Sequence, residues 1–265
     1  MSFLALSLPP VSAGTLALLE NGFYLVTLLC FVRVAAYAVA KQREHALVNG
    51  LDAPPRFTVR GSSGWPFAAC VLVLLFLQSP LYMVLVLVGI FGLLVETGHT
   101  AVEQFGLAKL SAARLIVWSL LVCGAVIFIE LPLGSVVDRA MTALHFPHPE
   151  QESVDLFRRL TRRSDVAFFL VQAAVIAPFL EELFFRGFLF TFLKNYTSTG
   201  LALVLSAGIF AFAHVNLGSA LQLWLLGIVL GLAYEHTGSL LLPMAIHAFW
   251  NFLTAMSLLL ERGGN

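Results

Sequence analysis

The stretch Val166–Phe192, VAFFLVQAAVIAPFLEELFFRGFLFTF, decides how this chain is read. It is long enough to cross a bilayer, for which about 20 apolar residues suffice. Yet its second half carries Glu181, Glu182 and Arg186. Insertion scales put an ionisable side chain at the centre of a spanning helix at about 2.5–3.5 kcal/mol for Asp, Lys or Arg. A helix that keeps three such groups must turn them towards a protein interior or a wet cavity, so a functional site is the default reading.

Outward from this helix the chain stays apolar. Thr15–Ala40, Pro66–Glu96 and Ala113–Leu133 precede it, and Leu201–Val215, Ala220–Tyr234 and Leu240–Leu260 follow with very short connections. Of the 265 residues, 59% are apolar and 11% charged, against roughly 45–50% and about 25% in a soluble domain. One soluble core cannot hide that surplus, so a soluble enzyme, a disordered chain and a nucleic-acid binder are poor fits. Lys plus Arg and Asp plus Glu number 15 each, and this balance points to no polyanionic partner. A transmembrane barrel would show short alternating segments instead of long apolar runs. The expected fold is therefore all-α, a polytopic transmembrane helical bundle of about seven or eight spans. The count turns on Pro66–Glu96, which crosses once or folds back at Ser79-Pro80; the sidedness of Lys and Arg favours seven.

Three regions are expected. Residues 1–140 form an N-terminal transmembrane region with polar loops. Residues 141–163 hold the most charged stretch, and Glu150–Arg163 reads as an amphipathic surface helix. Residues 164–262 form a helical core that carries the chemistry. Cys30, Cys70 and Cys123 lie in apolar runs with no metal-type spacing and read as buried, inert cysteines. Gly227-x-x-x-Gly231, and Ala207 with Ala211, read as close helix packing within the bundle. Glu20, Arg33 and Glu130 are further ionisable residues in apolar segments, placed near the interfaces or paired.

Spacing assigns parts within the core. Glu182 and Arg186 are i and i+4, the favourable acid-before-base order, and can neutralise each other. Glu181 is rotated by about 100° on the helix and is left free for chemistry. Phe210 and His214 share a face at i and i+4, as do His247 and Asn251. One free carboxylate, two imidazoles and one amide are the parts of a hydrolase. The carboxylate and one histidine can activate water. The other histidine and the asparagine can donate to a tetrahedral oxyanion. No Gly-x-Ser-x-Gly elbow, HExxH or P-loop competes.

These residues resemble the motifs of the CPBP family, the CAAX proteases and bacteriocin-processing or abortive-infection-like proteins, also known as type II CAAX prenyl endopeptidase-like proteins. EExxxR is met by Glu181-Glu182-Leu183-Phe184-Phe185-Arg186, FxxxH by Phe210 to His214, and HxxxN by His247 to Asn251. The resemblance covers roughly Val166–Leu260, under half of the chain, and favours eight spans. It implies an intramembrane endopeptidase of the bacterial cytoplasmic membrane, acting on a membrane-associated or membrane-embedded peptide or protein. Carried over by position, Glu181 activates water with His214, His247 and Asn251 hold the oxyanion, and Glu182, Arg186 and Phe210 support the site. It implies no cofactor, although Glu181, His214 and His247 are a possible set of zinc ligands with an open position. Nothing in the sequence reads a prenyl group. No nucleic-acid partner is expected, and the oligomeric state is open. Two other readings stand beside the protease. One is a catalytically silent family member acting as a membrane scaffold or immunity factor. The other is a transporter using the buried groups as a proton relay, though the polar groups cluster near one end and not in two matching halves.

Overall fold

The computed structural model describes residues 68, 70–71, 81–97, 100–108, 110–145, 152–194 and 197–263. The expected span Thr15–Ala40, the polar loop after it, Glu20, Cys30, Arg33 and the Ser79-Pro80 break lie outside the described residues. All regular structure among the described residues is helical: α1 (Leu81–Thr97), α2 (Ala101–Phe105), α3 (Ala112–Ala143), α4 (Glu152–Arg159), α5 (Arg163–Lys194), α6 (Thr199–Ala213), α7 (Leu217–Thr237) and α8 (Leu241–Gly263). The all-α class read from the sequence is the class observed. Four helices, α3, α5, α7 and α8, are long and apolar enough to cross a membrane; α1 and α6 supply shorter apolar segments.

Local chemistry sets the helix ends. Thr100 and Glu103 form a reciprocal capping box at the start of α2, and Gly106 closes it in the left-handed region at φ 61°. Ser111, Ser198 and Asn216 accept from backbone N–H groups at the starts of α3, α6 and α7. Gly238, at φ 60°, ends α7.

α3 runs on to Ala143, past the expected end at Leu133. Pro132 lies inside it and cannot donate to the Phe128 carbonyl. Hydroxyls add donors along the following turns: Ser135 donates to the Leu131 carbonyl at 3.1 Å and Thr142 to the Asp138 carbonyl at 2.8 Å. The sequence reading took the rise in polarity for an end, whereas the helix continues through it.

Helix α4 presses Phe157, fully buried, against Phe169 of α5, with ring centroids 5.3 Å apart. Arg262 of α8 sits over the Phe157 ring at 5.1 Å and donates to the Phe157 and Leu160 carbonyls. α6 and α7 approach most closely at Gly227, where a Cβ would stand 2.9 Å from the Ala207 Cβ and 3.0 Å from its Cα. The Gly227–Gly231 spacing thus serves packing within the bundle, as expected.

The molecule is apolar on its outside. Phe128 is 82% exposed and Leu260 72%, an exterior that suits lipid and not water. Cys123 is buried and reaches the Ile246 carbonyl at 3.4 Å. Cys70 is exposed, against expectation; a small apolar side chain on a lipid-facing surface needs no protein cover.

Candidate active site

Helix α5 positions the acids. It is not regular: Gln172–Ile176 and Leu183–Phe190 are π-helical, the second directly after Glu181-Glu182. A π turn bonds i to i+5, so it displaces carbonyls from the α ladder, and such turns occur often at functional sites. Side chains collect two of the displaced groups. Asn251 Nδ2 donates to the Ala173 carbonyl at 2.9 Å, and Thr191 Oγ1 to the Arg186 carbonyl at 3.0 Å. The second stretch is buried throughout and built from Leu183, Phe184, Phe185, Phe188, Leu189 and Phe190 around Arg186.

Glu182 is wholly buried. Its Oε1 accepts from Arg186 Nη1 at 2.6 Å and from His247 Nδ1 at 2.9 Å. Arg186 is buried too; its Nη2 donates to the Gly227 carbonyl at 3.0 Å, and its guanidinium carbon lies 4.6 Å above the Phe210 ring. The i, i+4 pair read from the sequence therefore forms, with a cation–π contact added and a backbone acceptor supplied where α7 has no side chain.

Glu181 stands apart from that pair. Its side chain is 14% exposed, and its Oε2 is buried with no hydrogen-bond partner among the described residues. The nearest counter-group is His247 Nε2, 3.8 Å from Oε2. His247 thus lies between the two acids, bonded to Glu182 through Nδ1 and facing Glu181 with Nε2.

Phe210 links the rest. Its ring meets His214 edge-on at 4.8 Å, His247 at 5.6 Å and Phe185 at 5.2 Å. His214 closes α6, and its Nδ1 lies 2.8 Å from the Phe210 carbonyl. A carbonyl only accepts, so Nδ1 carries the proton and Nε2 is left with its lone pair. The next residue, Val215, has φ 50°, uncommon for a β-branched residue. Asn216 then caps α7, so three residues end one helix and start the next.

Of the residues singled out in the sequence, the structure joins Glu181, Glu182, Arg186, Phe210 and His247 directly and ties His214 to them through Phe210. Asn251 lies one turn beyond His247 on α8 and holds the Ala173 carbonyl. His214 makes no hydrogen bond or ion pair with Glu181 among the described residues. The possible zinc set does not fit this geometry. No three His, Cys, Asp or Glu side chains among the described residues are placed to share an ion, and both histidine Nδ1 atoms are engaged. The sequence reading missed the carbonyls of Gly227 and Ala173 and the hydroxyl of Thr191. Gly227 stood out only as a packing residue, and no side-chain pattern marks the π-helical turns.

Comparison with curated proteins and with solved structures gives no match. A family model described as type II CAAX prenyl endopeptidase Rce1-like matches residues 163–253. That segment holds Glu181, Glu182, Arg186, Phe210, His214, His247 and Asn251, so through residues 163–253 the chain carries an Rce1-like type II CAAX prenyl endopeptidase domain.

Proposed function

We propose that this protein is an intramembrane endopeptidase that hydrolyses a peptide bond with water activated by Glu181. The observation that carries the reading is the contrast between the two acids: Glu182 is saturated by Arg186 and His247, whereas Glu181 Oε2 has no partner among the described residues. A structural ion pair needs one carboxylate; the second is available for chemistry. In this reading Glu181 takes a proton from water, aided by the lone pair on His214 Nε2. The water oxygen adds to the scissile carbonyl carbon. His247 and Asn251 donate to the oxyanion that forms. The carbon–nitrogen bond then breaks, and the proton held by Glu181 passes to the leaving amine, so no net proton is gained or lost.

Charge balance supports the role of His247. With both ring nitrogens protonated, Glu181, Glu182, Arg186 and His247 sum to zero formal charge, as a low-dielectric site demands. Nε2–H then points away from Glu182, as an oxyanion donor must. Glu182, Arg186 and Phe210 hold this ring in place.

The substrate is a membrane-associated or membrane-embedded peptide or protein, and the enzyme is a multi-pass protein of the bacterial cytoplasmic membrane. The three expected regions, 1–140, 141–163 and 164–262, serve as an N-terminal membrane unit, a surface segment and the catalytic core.

The test is cleavage by purified protein in proteoliposomes. The probes are fluorogenic peptides ending in a CAAX sequence, with and without a prenyl group on the cysteine. The wild type cleaves at least one; Glu181→Ala, His214→Ala and His247→Ala lose the activity. A strong chelator leaves the wild-type rate unchanged in the metal-free reading and abolishes it in a zinc-dependent one. Absence of cleavage by a folded wild type would favour the silent scaffold or immunity factor.

A further inference from the structure

The site has a wall that the family-matched segment does not supply. α1 packs on α5 along Ala177–Glu182 and Leu183–Phe190, the stretch holding both acids and Arg186. At its start stands Tyr82, partly buried and packed against the apolar cluster that contains Phe184, Phe185, Phe188 and Phe210. Its neighbours Met83 and Leu85 are purely apolar; Tyr82 alone among these three brings a polar atom to that wall. The Glu181 charge acts on the Tyr82 hydroxyl, so the two groups lie within electrostatic reach. Glu181 Oε2 is the buried oxygen with no partner among the described residues. A phenol donates one O–H and cannot act as a cation, so it can orient a carboxylate without neutralising it.

We propose that Tyr82 is a positioning residue of this site: its hydroxyl donates to the Glu181 carboxylate–water unit and holds it towards the scissile bond. This rests on the reading of Glu181 as the base. It assigns to the region before residue 163 a part in the reaction and not only in the membrane. The groups that face Glu181 are then Glu182 and Arg186 from its own helix, His247 from α8 and Tyr82 from α1.

The experiment measures kcat and KM for the wild type, Tyr82→Phe, Tyr82→Leu and Glu181→Gln in proteoliposomes on one cleaved fluorogenic CAAX peptide. Tyr82→Phe keeps the ring and its packing and removes only the hydroxyl. Loss of one hydrogen bond to a charged group predicts a kcat about tenfold lower with KM within about twofold of wild type. Tyr82→Leu keeps an apolar filler and loses at least as much. Wild-type kcat in Tyr82→Phe, with Glu181→Gln inactive, overturns the role of Tyr82 and leaves the base standing. A raised KM at unchanged kcat overturns it as well, since the hydroxyl would then bind substrate. Wild-type cleavage by Glu181→Gln removes the base, and the Tyr82 proposal with it.

Discussion

At the residue scale, the site is an exercise in burying charge safely. Arg186 and Glu182 are both wholly enclosed, and each is satisfied by more than the other: Glu182 by His247, Arg186 by the Gly227 carbonyl and the Phe210 ring. Removing one member leaves its partner charged and unpaired, which costs about 3–5 kcal/mol for a buried pair. Arg186→Met is therefore expected to lower the thermal midpoint sharply in detergent. The double variant Glu182→Gln/Arg186→Met, which leaves no orphaned charge, should recover part of that loss. A midpoint unmoved by Arg186→Met would mean that the pair does not support the fold. Phe210 joins both histidines and Arg186 through one ring face and two edges, so Phe210→Leu is expected to lower cleavage more than stability. Parallel melting curves and initial rates separate the two.

At the scale of elements, two features decide the architecture of the site. The first is the contact of α6 with α7. At Gly227 an added Cβ would meet the Cα of Ala207, which cannot move without its helix, whereas at Gly231 it would meet the far end of the Leu203 side chain, which can rotate. Gly227→Ala is accordingly expected to destabilise by about 1–3 kcal/mol, the range for overpacking, and Gly231→Ala by clearly less. Equal melting temperatures for the two would contradict the packing account. The second feature is the pair of π-helical stretches in α5. The pairing of Glu182 with Arg186, the separate direction of Glu181 and the shared faces of Phe210–His214 and His247–Asn251 were legible, because i and i+4 spacing survives in any helix-like coil. The π turns were not legible. They arise where tertiary partners such as Asn251 and Thr191 take over displaced carbonyls, and those partners are distant in sequence or look like ordinary polar residues. For the same reason the end of α3 was misjudged: a proline and a polarity change mark a helix end only when no local hydroxyl or neighbouring helix carries it through. Asn251→Leu removes the donor to the Ala173 carbonyl. An unpaired buried acceptor costs about 1–3 kcal/mol, which a melting curve will show.

At the scale of the molecule, apolar residues cover the outside and ionisable ones gather inside, the reverse of a soluble enzyme. Four spanning-length helices and the exposed apolar faces of α3, α5 and α8 predict that the protein stays in the membrane pellet after alkaline carbonate washing and leaves it only with detergent. Recovery in the wash would contradict a membrane-spanning fold. Inside that shell, the central claim is that Glu181 is the base. Its most direct test is the single-turnover rate of Glu181→Gln against wild type in proteoliposomes, on a peptide the wild type cleaves. Gln keeps the size and polarity of the side chain and loses the proton acceptor. General-base catalysis contributes roughly 10²–10⁴-fold, so the account predicts a rate lower by that factor with folding intact. A Glu181→Gln enzyme that cleaves at the wild-type rate would contradict it.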